Sequence, residues 1–213
     1  MSSPASLPKE IHLSAQRGEL QKVVKWLRKG GLVDALGSAT SVDGRPITTT
    51  LLLTAAVNDH LEMVRELLKR GASVDLQNSR GLTALMQAAS YGHRSILLVL
   101  LQHLANPDLQ DEVGDTALML AAYKGQEVSV QALLRAKANT ELLDKGGFTA
   151  LQHAEDQGHT ATAQLLRQHS APPQPAAAAP AAPPDAGEPA VSAPASLPVE
   201  ARVRTAVLIT NHS

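Results

Sequence analysis

A 33-residue step runs through the middle of this chain and constrains its fold more than any other feature. Gly81, Gly114 and Gly147 are 33 apart (114−81 and 147−114), and Thr83, Thr116 and Thr149 keep the same interval. So do Ala84, Ala117 and Ala150, and then Leu85, Leu118 and Leu151. Gly92, Gly125 and Gly158 follow, as do Leu100, Leu133 and Leu166. Six columns in one register over three units do not arise by chance, and a period of this length is the mark of a stacked repeat architecture. Two further units lie upstream. Residues 20–34 read LQKVVKWLRKGGLVD and residues 61–75 read LEMVRELLKRGASVD, an offset of 41 (61−20), which is 33 plus 8. The eight extra residues fall within 35–49, a stretch rich in Gly, Ser, Thr and Asp, which reads as an enlarged loop.

Each unit carries the same local instructions. The Ser79-Arg80-Gly81 turn places glycine where the backbone takes a conformation that other residues resist. Thr83 is a helix N-cap residue, and the spacing predicts a short helix over 85–91 closed by Gly92 as a left-handed C-cap. A second helix is expected over 95–103. Its apolar residues Ile96, Leu97, Val99, Leu100 and Leu101 form a stripe too wide for a solvated helix. One unit cannot bury that stripe alone, so neighbouring units must stack to cover it. Composition agrees. Aromatics are 2% of the chain, Trp26, Tyr91, Tyr123 and Phe148, so the core must be built from Leu, Val and Ala. Close helix packing suits such a core better than a sheet, which favours aromatic and β-branched residues.

The period and the segments TALMQAASYGH and TALMLAAYKGQ resemble the ankyrin-repeat family. The family motif has Thr-Pro-Leu-His where this chain has Thr83-Ala84-Leu85-Met86, Thr116-Ala117-Leu118-Met119 and Thr149-Ala150-Leu151-Gln152. The resemblance covers roughly residues 11–170. It implies an all-α solenoid of about five helix–turn–helix units with short hairpin turns, at approximately 11–42, 43–77, 78–110, 111–143 and 144–170. It also implies protein–protein recognition, with partners contacting hairpin tips and inner helices through the concave face. The tip positions are Arg80, Leu82, Glu112, Val113, Asp115, Lys145 and Phe148. The inner-helix positions before the cap glycine include Ser90, Tyr91, Tyr123, Lys124, Asp156 and Gln157. Three of the four aromatics fall on this surface, and aromatics are enriched at binding hot spots. Trp26 aligns with Leu67 and is expected in the core. The partner-binding set is therefore Arg80, Leu82, Tyr91, Glu112, Val113, Asp115, Tyr123, Lys124, Lys145 and Phe148. Two alternatives stay open: a structural spacer from a longer tandem protein, and a non-catalytic regulatory part of an enzyme.

Other function classes find no support in the residues. The net charge is −1, so nothing recruits a nucleic acid by bulk electrostatics. With no cysteine there are no disulfides, thiolate metal sites or cysteine nucleophiles. No stretch approaches the ~18 apolar residues of a membrane span, and residues 1–10 have no apolar signal segment. The expected compartment is the cytoplasm, with the nucleus left open, and the expected state is a monomer. His60, His93 and His159 share a column. Stacked helices lie ~8–10 Å apart, so column mates do not converge on one zinc, and the family uses this position structurally. His103, His153 and His169 show no shared spacing. Asp34, Asp75, Asp108 and Glu141 form a second column, read as an edge row of solvated carboxylates. In many family members an asparagine near this position is hydroxylated, so no such modification is expected here. No cofactor, metal or catalytic site is expected.

The ends of the array are marked by polar residues. Glu155 replaces Ala89 and Ala122, and Arg167 replaces Leu101 and Leu134, which makes the last unit a C-terminal cap. Lys22 and Lys25 replace Met63 and Glu66 in the first unit and suit an N-terminal cap. Residues 1–10 read as a leader, 171–200 as a Pro/Ala-rich linker in extended conformation, and 201–213 as a disordered tail. The leader segment PASLPKE at 4–10 recurs as PASLPVE at 194–200. Duplication of leader, array and linker would explain this, and the chain is then expected to be a shortened form of a longer tandem protein.

Overall fold

The computed structural model describes residues 6–40 and 44–170. The leader's first five residues, the linker and the tail lie outside the described residues, and so do the readings made of them. Ten helices pair into five units among the described residues: α1 (Lys9–Gln16) with α2 (Leu20–Arg28), α3 (Leu51–Val57) with α4 (Leu61–Lys69), and α5 (Ala84–Tyr91) with α6 (Arg94–Gln102). α7 (Ala117–Tyr123) pairs with α8 (Glu127–Arg135), and α9 (Ala150–Asp156) with α10 (Thr160–Ser170). The odd-numbered helices contact one another in order from α1 to α9 and form the inner layer. The outer helices α4, α6, α8 and α10 do the same behind them. No helix among the described residues is long and apolar enough to cross a membrane.

The threonine column starts the inner helices. Extended backbone at the cap residue leaves the hydroxyl facing the first turn, where it accepts an otherwise orphaned amide. Thr83 accepts from Met86 N at 3.2 Å, Thr116 from Met119 N at 3.2 Å and Thr149 from Gln152 N at 3.3 Å. Thr50, 33 residues before Thr83, does the same for Leu53 N at 3.1 Å. At the other end Gly92 has φ of 74° and closes α5 as a left-handed cap. Both helices of this unit begin one residue earlier than their spacing predicts.

Small residues then let the inner layer close up. Ala55, Ala56, Ala88, Ala89, Ala121 and Ala122 are fully buried, so adjacent inner helices meet without bulky side chains between them. Leucines fill the space behind: Leu85 and Leu118 from the inner helices, Leu100, Leu133 and Leu166 from the outer ones, all at 1% exposure or less. Trp26 is half-buried against this core at its N-terminal end. Leu7 is buried too and donates its amide to Leu36 O at 2.9 Å.

The enlarged segment is not an irregular loop. Within residues 35–49 the chain forms two antiparallel strands, β1 (Gly37–Thr40) and β2 (Pro46–Thr49), in the register Gly37↔Thr49, Ser38↔Thr48, Ala39↔Ile47 and Thr40↔Pro46. The β-branched run Ile47-Thr48-Thr49 favours extended backbone, and Ile47 is buried at 5% exposure. The hairpin joins the array through Thr48 and Ser79, whose amides each donate to the other's hydroxyl at 3.0 and 2.9 Å.

Candidate functional site

Successive tips are zipped together by backbone hydrogen bonds. Glu112 N donates to Arg80 O, and Lys145 N to Val113 O, both at 2.9 Å. The approach is close enough that a Cβ on Gly81 would lie 2.8 Å from Asp111 Cα, so glycine is required there for space as well as for its φ of 75°. Within each tip an acceptor side chain organises the turn. Asn78 Oδ1 accepts from the Arg80 and Leu82 amides, Asp111 Oδ1 from those of Val113 and Asp115, and Asp144 Oδ1 from that of Phe148.

This zipping changes which tip residues a partner can meet. Leu82 is 1% exposed and belongs to the core, because its tip lies down on the next unit. Arg80 is 6% exposed, with Nε 3.7 Å from the Glu112 carboxylate, and Asp115 is 9% exposed beside His153. These three, expected as contact residues, are buried in the stack instead. Glu112, Val113, Lys124 and Lys145 are exposed, and Tyr91, Tyr123 and Phe148 are half-buried. The Tyr91 ring stacks on His93 with centroids 5.8 Å apart, and burial pushes its phenol up to about 12, so it stays a neutral donor. Lys124 Nζ sits 5.4 Å from the Tyr123 centroid.

The two repeated columns of titratable groups serve the stack. His60 Nε2 lies 2.8 Å from Gln16 O, His93 Nε2 3.1 Å from Val57 O and His159 Nε2 3.1 Å from Tyr123 O. Each imidazole thus bonds a carbonyl at the end of the preceding unit's inner helix. The carboxylate column is more than a solvated edge. Asp34 accepts from Ser73 N at 3.0 Å, Asp75 from Asn106 N at 3.0 Å and Asp108 from Asn139 N at 2.8 Å. Each ties its unit to an amide of the next one, which is why a carboxylate recurs there.

A third set brings Asp115, expected as a contact residue, together with Asp144 and His153, which were not among the expected sites. His153 Nε2 is 3.0 Å from Asp144 Oδ2 and 3.6 Å from Asp115 Oδ1. Their side chains are 7%, 11% and 13% exposed respectively. One donor atom from each lies within 4.8 Å of the others. Two rings complete the surroundings, with Tyr123 edge-on to the imidazole and Phe148 tilted against it, both with centroids 6.1 Å away. His153 shares no spacing with the other histidines, so a histidine column does not reveal it. The signal lies across the columns instead: His153 stands where Leu120 and Gln87 stand one and two units earlier (153−120 and 120−87 are both 33).

Comparison with known families supports the architecture. The family described as "Ankyrin repeats (3 copies)" matches residues 11–111 and 100–175. No curated protein matches the chain. The matched segments together span well over half of the sequence and coincide with the capped helix pairs, so the chain belongs to the ankyrin-repeat family.

Proposed function

We propose that this chain is a protein-recognition scaffold that binds a protein partner through the concave face of its stack and has no catalytic role of its own. Ankyrin repeats are in general protein–protein interaction modules. One observation supports the finer reading. Three of the chain's four aromatics, Tyr91, Tyr123 and Phe148, lie half-buried along the ends of the inner helices and the adjoining tip. Exposed Glu112, Val113, Lys124 and Lys145 accompany them. A ring held by the scaffold loses little freedom on binding, so its contact area converts efficiently into affinity. Arg80, Leu82 and Asp115 are left out of this surface because the stack buries them.

The test is affinity capture with the wild-type chain and with its Tyr91→Ala, Tyr123→Ala and Phe148→Ala variants, followed by affinity measurement on the protein identified. Each substitution is expected to weaken binding by ~1 kcal/mol or more with the fold intact. Gln131→Ala on outer helix α8 is expected to have no effect. Equal weakening by Gln131→Ala would place the interface on the outer face and refute the proposal.

A further inference from the structure

Three register columns run through successive junctions between units, and their occupants change along the array. Between the second and third units they are Thr49, Asn78 and Gln87; between the third and fourth, Leu82, Asp111 and Leu120. At the last junction the same columns hold Asp115, Asp144 and His153. Two of the three positions turn from leucine to ionisable residues, Leu82 to Asp115 and Leu120 to His153, where the preceding junction buries those leucines at 1% and 6% exposure. Giving up two leucines for a carboxylate and an imidazole, beside the carboxylate already in the middle column, costs packing and desolvation. A stack needing only a C-terminal cap puts its polar residues on the outer surface, as it does with the exposed pair Glu155 and Arg167.

We propose that Asp115, Asp144 and His153 form a binding site for a transition-metal dication of the Zn²⁺ class. Zinc bonds histidine nitrogen and carboxylate oxygen at ~2.0–2.2 Å in tetrahedral geometry, which sets ligand atoms about 3.4 Å apart. The imidazole nitrogen stands 3.0 Å from one carboxylate oxygen and 3.6 Å from the other, on either side of that value. The third pair lies within 4.8 Å, so a dication has only to draw the two carboxylates together. The side chains that bind a metal must also be held in place by other bonds. Asp144 meets it, since its Oδ1 accepts from Phe148 N at 2.8 Å and leaves Oδ2 to face the imidazole.

The donor set selects the metal. Calcium takes ~6–8 oxygen ligands and magnesium an octahedral shell of oxygens and waters, and a site with one imidazole and two carboxylates provides neither. Imidazole favours zinc and its neighbours. Binding needs the Nε2 lone pair. The proton that bridges Nε2 to Asp144 moves to Nδ1 when the imidazole starts neutral and leaves for solvent when it starts charged. Uptake therefore weakens as the medium becomes more acidic.

The experiment uses the full-length chain freed of metal by chelator dialysis, titrated with zinc chloride by calorimetry, and with cobalt chloride followed in visible absorption. Neighbouring units supply the control, since Asp144→Asn with His153→Gln recreates the Asn78 and Gln87 pair that the fold already accommodates. The wild type is expected to take up one equivalent of Zn²⁺ and to show the intense visible bands of four-coordinate Co²⁺. Its melting temperature is expected to rise with zinc concentration. The double variant is expected to bind about a hundredfold more weakly or not at all, loss of a ligand costing at least as much as loss of its support. Asp115→Leu, which copies the Leu82 position, gives the same loss by an independent route. No uptake by the wild type, or equal uptake by the variants, overturns the proposal, and an equal response to Mg²⁺ or Ca²⁺ overturns the metal class. No partner protein enters the measurement, so its outcome is independent of the proposed recognition function.

Discussion

The junction between the third and fourth units and the junction between the fourth and fifth are built on one register and held by different physics. In the first, Leu82 and Leu120 belong to the core and Asp111 is buried. In the second, Asp115 and His153 take their places around Asp144. The tip carboxylates show the consequence. Asp111 and Asp144 both use Oδ1 to organise their turns, but only Asp144 has an imidazole for Oδ2. Asp111 Oδ2 is buried without a hydrogen-bond partner, and burial foremost pushes its carboxyl up from the ordinary carboxylate range. The array thus holds a buried carboxylate in an apolar junction, where the amides of the turn it organises offset part of its desolvation.

Truncating one leucine column on both sides is expected to give the largest difference between the two junctions. Leu118 is 1% exposed in the fourth unit, and its counterpart Leu151 in the last unit is only half-buried. Leu118→Ala is expected to cost ~2–5 kcal/mol in urea unfolding, because the cavity lies between two packed units. Leu151→Ala should cost about half as much or less. Equal costs would mean that the last junction is packed as tightly as the interior.

A smaller effect is expected at the buried Asp111 carboxylate. An acid whose folded pKa is raised above its unfolded value destabilises the fold when ionised, so stability falls as pH rises through that interval and the loss is complete above it. Asp111→Asn, which copies Asn78, should therefore stabilise the neutral-pH protein by ~1 kcal/mol. It should also flatten the acidic part of the stability profile. Thermal melts of both proteins across the acidic to neutral range check this, and an Asn variant less stable at neutral pH would refute the assigned cause. His12 bears on the same profile with the opposite sign. Burial holds its imidazole below the usual value, so folding is fully favoured above the unfolded pKa and loses ground as pH falls through it.

The architecture was legible because it is written in residues with one job each. Threonine at the cap, glycine at φ of 74° and leucine in the core hold their positions in every unit where they occur, so a column identifies both element and role. The 35–49 hairpin was not legible. Its strands are four residues each, and Gly, Ser and Thr are equally at home in turns. Burial of Leu82 and Arg80 was also hidden, since family position distinguishes a tip from a helix but not a tip that faces solvent from one pressed on its neighbour. The Asp115–Asp144–His153 group was present in the columns yet hidden from a repeated-histidine pattern, because His153 stands in a column that holds Gln87 and Leu120 in the preceding units.

The last junction is an ionisable version of the apolar one before it, and one pair of variants decides whether that is so. His153→Leu alone leaves Asp115 and Asp144 facing an apolar side chain and is expected to cost about 3 kcal/mol, the usual range for breaking a buried pair. Adding Asp115→Leu reproduces the Leu82, Asp111 and Leu120 junction and is expected to restore wild-type stability or exceed it by ~1 kcal/mol or more. The measurement is equilibrium unfolding in chelator at neutral pH. A double variant as unstable as the single one, with the two effects simply additive, would contradict the account by showing that the two junctions do not share a register.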